Sequence, residues 1–224
     1  MPGRILPLVN GEVYHVFNRG IDHRPTFTDK KEFRRAMTVL SYYRFSTPPV
    51  KLSKFFLLSN ENREIILSGL SSGNQKLAEI ICYCLMPNHF HLLLKQVEDH
   101  GISRFLSNLQ NSYTRYFNTK NERVGPLFLD QFKAVRIQTD EQLLHVSRYI
   151  HLNPLTSFVV KDFENLQNYP WSSLPEYLGK NEFRICFSEQ VLDFFKKKSD
   201  YEKFLQDQVA YQHELHRIKH LVLE

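Results

Sequence analysis

The stretch KLAEIICYCLMPNHFHLLLKQ, residues 76–96, carries the strongest indication of the fold. Two apolar runs, residues 76–86 and 90–95, are separated by Pro87-Asn88, a dipeptide typical of turns. The pattern predicts two strands joined as a hairpin. We expect this hairpin to form the centre of a sheet.

The segments on either side of this hairpin supply the remaining elements of an α+β domain. Residues 12–17, EVYHVF, and residues 127–137 are predicted as further strands. Apolar side chains at helical spacing predict three helices, one from Asp29 onwards, one over residues 102–118 and one over 140–152. This order of elements predicts a ferredoxin-like (RRM-like) α+β fold, in which helices face an antiparallel sheet.

The boundaries of the domain follow from where these signals begin and stop. Thr139 and Gln142 have the spacing of a capping box, and we expect Pro154 to end the helix that they begin. The catalytic domain is predicted over residues 11–174. Residues 48–75 have poor periodicity and are treated as an inserted helical or irregular segment within it.

Residues 180–224 are predicted to form a helical C-terminal extension. Ser199 and Glu202 have capping-box spacing and mark the expected start of a helix there. Three histidines further on share one helical face, a pattern more typical of a solvated or DNA-facing surface than of a metal site: His213, His216 and His220.

Composition and charge narrow the class of protein. The 224 residues have a formal charge of +5 and a sequence pI of about 9.0, a modest excess that favours polyanionic partners. Cys82, Cys84 and Cys186 are too few and odd in number for a disulfide framework, which indicates a cytoplasmic protein. No apolar run is long enough to span a bilayer, so we expect no membrane partner.

His89 and His91 stand two residues apart at the start of a predicted strand, so both imidazoles project from one face of the sheet. Neutral imidazole is a common ligand of transition metals. A His-x-His pair alone is more often a surface pair on a polar sheet face. The pair gains weight only in combination with other residues.

Those other residues are Tyr149 and Asn153, which lie four apart in a predicted helix and therefore share a face. The helix presents a phenol and an amide oxygen together. Taken alone, the pair is better explained as an ordinary packed aromatic residue, Tyr149, and a helix cap before Pro154, Asn153. We therefore interpret the histidine pair and this tyrosine–asparagine pair jointly.

Six motifs in this order resemble one family, the HUH-superfamily single-tyrosine transposases, in their REP-associated branch related to insertion-sequence-200-like enzymes. The resemblance extends from Gly11 to about Leu174. The motifs are YHVFNRG (14–20), LMPNHFHLLLK (85–95), SRFLSNLQNSYTRYFN (103–118), GPLFLDQFK (125–133), RYIHLNP (148–154) and YPWSS (169–173).

The resemblance implies a role for each of the four residues. His89 and His91 are the implied metal-binding pair, Asn153 the third ligand and Tyr149 the nucleophile. The implied reaction cuts single-stranded or hairpin DNA, leaving a covalent 5′-phosphotyrosine and a free 3′-hydroxyl. We expect Mg²⁺ or Mn²⁺ as cofactor and a protein that acts as a monomer or homodimer.

Polar and basic residues in the matched motifs are candidates for DNA contact: Asn18, Arg19, Arg115, Lys133 and Arg148. His145, one turn before Tyr149, and Tyr116 are supporting candidates, the latter for stacking on a base. Tyr113 is a rival nucleophile that we rank below Tyr149. Where relatives commonly have Gly-Arg before a Phe, this chain has Asp130-Gln131, which removes a positive charge expected near DNA.

Two other functions are compatible with the same residues. One is a non-cleaving nucleic-acid-binding regulator on the same fold. The other is a metal-dependent phosphodiesterase that uses water, with Tyr149 in a structural role. Retention of all four residues argues against the regulator, whereas a covalent protein–DNA adduct would separate the transposase from both alternatives.

Overall fold

The structure is a computed structural model that describes residues 7–73, 75–181 and 184–209. Four strands form one antiparallel sheet in the order β2-β3-β1-β4. They are β1 (Val13–Arg19), β2 (Ala78–Met86), β3 (His89–Gln96) and β4 (Lys133–Ile137). The predicted α+β class, with an antiparallel sheet faced by helices, is confirmed.

The helices pack on both faces of this sheet, and a short 3-10 turn, Ile21–His23, follows β1. In chain order the helices are α1 (Lys30–Tyr43), α2 (Leu52–Phe55), α3 (Asn60–Ser72), α4 (Gly101–Lys120), α5 (Asp140–Thr156), α6 (Phe163–Gln167), α7 (Leu174–Tyr177), α8 (Glu189–Leu192) and α9 (Lys198–Gln206). No helix in the described part of the chain is both long and apolar enough to cross a membrane.

Strand alternation divides the interior into two cores, because successive side chains point to opposite faces. On one face, Val16 and Leu92 pack in the core that α1 and α4 cover. On the other, Leu93 joins the core formed by α5 and the C-terminal helices. His89 and His91 share this second face with Leu93, since they stand an even number of residues from it on β3, and His15 shares it because it pairs with Leu93 across the strands.

The predicted hairpin exists, but the expectation that it forms the centre of the sheet is wrong for β2. The central strands are β3 and β1, and β2 lies at one edge. This edge is covered by residues 171–173, where Leu85 N donates to Trp171 O and Ser173 N donates to Tyr83 O. Helices cover both faces of the sheet, so β2 is apolar on both sides although it lies at the edge. Apolar character on both sides therefore does not indicate a central strand.

The helix that carries Tyr149 begins as predicted and ends later than predicted. The Thr139 hydroxyl accepts a hydrogen bond from Gln142 N at 3.3 Å, which caps the N-terminus. Pro154 lies inside α5 rather than ending it. Its missing N–H removes one helical bond, and Ser157 N bonds to Asn153 O in the next turn. Asn153 is therefore a helical residue, not a cap.

Two features differ from the sequence prediction, whereas the expectation of a helical or irregular segment at residues 48–75 agrees with the structure. The fourth strand begins at Lys133 rather than 127, because residues 127–132 form a loop with one bridge between Gly20 and Phe128. The segment 48–75 is helical over α2 and α3. At the start of α9, Lys197 N donates to Asp200 Oδ2 at 3.1 Å, and the predicted capping box of Ser199 and Glu202 is not the one that begins this helix. The three tail histidines, beyond residue 209, lie outside the described residues.

Candidate active site

His89 and His91 lie at the start of β3, immediately after the Pro87-Asn88 turn, with both rings on the α5 side of the sheet. Their ring centroids are 5.0 Å apart and the ring planes are nearly perpendicular, at 87°. The strand geometry thus brings two imidazoles together, as the spacing predicted.

The environment of His89 favours a neutral imidazole with a defined orientation. Burial lowers the pKa of His89 to about 4, and a hydrogen bond with Asn153 acts in the opposite direction. Its Nδ1 lies 2.6 Å from the side-chain oxygen of Asn88. Because Nδ1 donates to this oxygen, Nε2 is the nitrogen with the lone pair, the form in which imidazole binds a metal.

A third histidine, His15 on β1, belongs to the site and was missed from the sequence. Its Nε2 lies 3.0 Å from Nδ1 of His91, and the two rings stack at 5.2 Å between centroids. Burial lowers the pKa of His15 to about 4, so this ring too is neutral near pH 7. The alternation of His15 with buried Tyr14 was visible in the sequence, but its contact with His91 depends on strand pairing.

Tyr149 and Asn153 approach the histidines from α5. The Tyr149 ring meets the rings of His91 and His15 edge-on, with centroids 5.3 and 5.9 Å apart. Asn153 is buried and hydrogen-bonds both Tyr149 and His89. Burial raises the pKa of the Tyr149 phenol, and the Asn153 hydrogen bond opposes that rise. The structure therefore brings the four predicted residues together.

A cavity of about 620 Å³ opens beside His89. Arg19 and Lys133 line it, and none of its lining residues is acidic. The Arg19 Nη1 atom is buried, and no described residue lies within hydrogen-bond distance of it. Lys133 Nζ is 6.0 Å from the Phe17 ring centroid. Such a cavity suits a phosphate group, since it supplies positive charge and an unsatisfied donor.

Two of the residues predicted to contact DNA, Asn18 and Arg148, are largely buried. Asn18 is 4% exposed, and its amide nitrogen donates to Gln110 Oε1 at 2.7 Å and to Leu129 O at 2.9 Å. Arg148 is also 4% exposed, because its guanidinium packs 4.2 Å from the Phe204 ring centroid under α9. Both side chains make contacts within the fold, and Asn18 in addition lines the cavity beside His89.

His145, expected to support the tyrosine, instead contacts Arg148. The Arg148 Nη2 atom lies 2.8 Å from Nδ1 of exposed His145. The neighbouring His151 is also structural, since its nitrogens lie 2.7 Å from the hydroxyls of Tyr201 and Ser173. Through these two buried hydrogen bonds, His151 connects α5 with α9 and with the residue before α7.

The residues of α4 stand on the opposite side of the sheet from Tyr149. Tyr113, the rival nucleophile, is fully buried and donates its hydroxyl proton to Thr26 O at 2.5 Å. Arg115 and Tyr116 lie on the same helix, and both line a second cavity away from the histidines. Tyr113 is therefore a packing residue, and Arg115 and Tyr116 are not part of the histidine–tyrosine site.

The donor set fits a small divalent cation. Two imidazoles and one carboxamide oxygen make a mixed nitrogen and oxygen set, which suits Mn²⁺ and admits Mg²⁺ with water or phosphate oxygens completing the sphere. Within the described ranges, no group of three His, Cys, Asp or Glu side chains is arranged to hold a metal. Asn153 is thus essential to any such site here. Cys82 and Cys84 are buried in the core on this face of the sheet.

The protein family that matches this chain is described as "Transposase IS200 like", and the match covers residues 58–153. This span is somewhat less than half of the chain, yet it contains His89, His91, Tyr149 and Asn153. It also contains residues 58–75, part of the segment that we had treated as an insertion. The resemblance to the single-tyrosine transposases is confirmed. No protein with a curated function matches the chain.

Among solved structures, the chain is similar to a REP-associated tyrosine transposase bound to a REP hairpin. The similarity covers 85% of this chain and 93% of that one, with a TM-score of 0.55 and 13% sequence identity. At this identity the comparison establishes a shared fold. Together with the family match over residues 58–153, it shows what this chain is similar to.

Proposed function

We propose that this protein is a metal-dependent single-strand DNA endonuclease and strand transferase with Tyr149 as nucleophile. The observation that carries the proposal is the meeting of His89, His91 and Asn153 with the Tyr149 ring around one point on the α5 face of the sheet. Neither the regulator nor the water-using phosphodiesterase requires a phenol in that place.

The covalent step joins Tyr149 to the DNA. Its phenolic oxygen loses its proton and attacks the phosphorus, a P–O bond to tyrosine forms, and the bond from phosphorus to the 3′ oxygen breaks. That oxygen takes up a proton and leaves as a 3′-hydroxyl. The phosphodiester energy is conserved in the phosphotyrosine, so a 3′-hydroxyl of another strand rejoins the DNA by the reverse step without ATP.

His89, His91 and Asn153 are the residues that would hold the divalent ion. When bound, Mg²⁺ or Mn²⁺ supplies Lewis-acid polarisation of the phosphate oxygens. Asn153 has a second task, since its hydrogen bond with Tyr149 orients the phenol and counteracts the effect of burial on its pKa. His15 holds the His91 ring through the contact at 3.0 Å.

Arg19 and Lys133 are proposed as the DNA contacts beside the site. Both line the acid-free cavity next to His89, and the orphaned Nη1 of Arg19 is a donor that a phosphate oxygen would satisfy. Gln131 lies in the same cavity, where relatives commonly carry the arginine of a Gly-Arg pair. The similar structure was bound to a REP hairpin, which supports hairpin DNA as the first substrate to test.

The test is covalent capture. Purified protein is incubated with end-labelled single-stranded hairpin DNA and Mn²⁺, and adducts that resist denaturation are resolved on a gel. Tyr149→Phe keeps the ring packed on His91 and removes only the nucleophilic oxygen. Tyr113→Phe is the matched control, because it removes the same atom from a buried tyrosine on the other side of the sheet.

We expect an adduct in the wild type and in Tyr113→Phe, none in Tyr149→Phe, and none after chelation of the metal. DNA cleavage without an adduct would favour the phosphodiesterase. Tight binding without cleavage, with Mn²⁺ present, would favour the regulator. Either result would refute the nucleophilic role of Tyr149.

A further inference from the structure

A second cavity, of about 910 Å³, lies on the side of the molecule away from Tyr149. It is formed by α1, the segment that leads into α2, and the outer surface of α4. The inner surface of α4, including Phe105 and Tyr113, packs on the opposite sheet face from the histidines. The two cavities are therefore separated by the sheet and cannot be parts of one cleft.

The charge of this cavity is strongly one-sided. Its lining includes Arg35, Lys51, Arg115 and Lys120 and no acidic residue. Lys120 is neutralised, because Nζ lies 2.6 Å from Asp29 Oδ2 and also contacts Glu32. The other three cations have no carboxylate within 4 Å among the described residues. An anionic ligand would balance their charge.

Arg35 indicates where that ligand would sit. Its guanidinium carbon lies 3.6 Å from the Phe56 ring centroid and 5.1 Å from that of Tyr116, so aromatic rings hold the group in place. The Nε atom is buried, and no described residue accepts its hydrogen bond. A buried donor nitrogen without an acceptor costs stability unless a partner supplies one. Phosphate is the ligand that a fixed guanidinium binds well.

The rest of the lining suits a nucleobase. Tyr43 and Tyr116 are partly exposed and line the cavity together with the amides of Asn108 and Asn111. Aromatic faces stack on bases of any sequence, whereas amides bond to base edges. Residues of α4 reach the cavity at helical spacing, and the helix, residues 101–120, contains no Asp or Glu that would repel a polyanion.

We propose that this cavity, defined by Arg35, Lys51, Arg115 and Tyr116, is a second DNA-binding site that holds a nucleotide of single-stranded DNA. Its phosphate lies against Arg35 and Arg115, and its base stacks on Tyr116. The identity of the polyanion rests on the proposed function. The separation of the two cavities by the sheet means that the strand engaged here is either a distal part of the cleaved molecule or a second molecule.

The test measures equilibrium binding of a fluorescein-labelled thymidine oligonucleotide, without a hairpin, by anisotropy over a range of salt concentrations. All variants are made in the Tyr149→Phe background, so that binding is measured without chemistry. Arg115→Gln is the main variant because the side chain is exposed and its loss disturbs no packing. Arg34→Gln is the matched control, since Arg34 is an exposed arginine of α1 that does not line the cavity.

We expect Arg115→Gln to weaken binding and to lower the salt dependence by about 0.7 in log–log slope, the share of one phosphate contact. Tyr116→Ala is expected to weaken binding by about five- to a hundredfold through lost stacking. Photo-cross-linking of an iodouridine oligonucleotide is expected to label the peptide that contains Tyr116. Thymidine monophosphate and inorganic phosphate, added as competitors, distinguish a polymer site from a site for free nucleotide or phosphate.

Equal loss of binding in Arg34→Gln and Arg115→Gln would overturn the proposal, since it would indicate a general charge effect. Effective competition by the monophosphate or by phosphate alone would also overturn it. Failure here is distinguishable from failure of the proposed function, because adduct formation by Tyr149 is assayed separately on hairpin DNA in the wild-type background.

Discussion

Replacing His15 by phenylalanine tests whether this histidine positions His91 for metal binding. Phenylalanine keeps a ring of similar size in the stack with His91 and removes the nitrogen that lies 3.0 Å from His91 Nδ1. His91 is 6% exposed, so water does not readily replace the lost contact. Losing one hydrogen bond to a buried polar group costs about 1–3 kcal/mol, a factor of about 5 to 150 in an equilibrium constant.

We therefore expect His15→Phe to bind Mn²⁺ about 5- to 150-fold more weakly than the wild type, a range that includes the roughly 10- to 100-fold loss typical when groups supporting metal ligands are removed. The assay is titration with Mn²⁺ while free ion is followed by electron paramagnetic resonance. His91→Ala serves as the variant that lacks a ligand. His15→Gln restores a hydrogen-bonding group and should recover part of the affinity.

Wild-type Mn²⁺ affinity in His15→Phe, with weakened binding in His91→Ala, would refute the positioning role of His15 and leave the metal site intact. Thermal unfolding of each variant without metal separates a loss of fold from a loss of orientation. A purely structural histidine would lower the unfolding temperature without changing Mn²⁺ affinity in the folded protein.

Two further predictions concern stability, both measured by denaturant or thermal unfolding. Gly101→Ala should lower the free energy of unfolding by about 3 kcal/mol, because the added Cβ would lie 2.0 Å from the carbonyl oxygen of Leu77. Gly69 lies in a helix with open space around it, so Gly69→Ala should raise the free energy of unfolding by about 0.5–1 kcal/mol. Equal changes in the two variants would contradict the argument that the Leu77 carbonyl excludes a side chain at Gly101. The Lys120 ammonium holds the pKa of Asp29 below its usual value, so this pair stabilises the fold above about pH 4 and less as pH falls through the lowered pKa. The difference in unfolding temperature between wild type and Lys120→Gln should accordingly be largest near neutral pH and shrink in acid, and a constant difference would refute the ion-pair account.

Local patterns predicted most elements because their causes are local. The capping residue Thr139 and the apolar spacing after it fix the start of α5. The predicted end of α5 was wrong, because Pro154 removes only the hydrogen bond that its own nitrogen would make. The last turn of the helix packs in the core, and this packing outweighs the loss of that bond. The edge position of β2 was missed for a related reason, since an apolar strand does not reveal which elements cover it.

The same distinction applies to the site. His89 with His91, and Tyr149 with Asn153, each share a face through the geometry of one strand or one helix, so spacing alone predicted the pairs. Spacing did not predict which other residues would join them. His15 reaches the site only through the pairing of β1 with β3.

The amino-acid sequence by itself determined the α+β class, the two chemical pairs and their resemblance to single-tyrosine transposases, because these depend on periodicity and motif order along the chain. Tertiary structure alone decided that Arg19 keeps a donor without a partner among the described residues beside His89, while the amide of adjacent Asn18 bonds to Gln110 and Leu129. It likewise placed Arg115 and Tyr116 on the far side of the sheet. The reason is that a side chain's partner across a sheet or under a helix is set by strand register and packing, which no local spacing records.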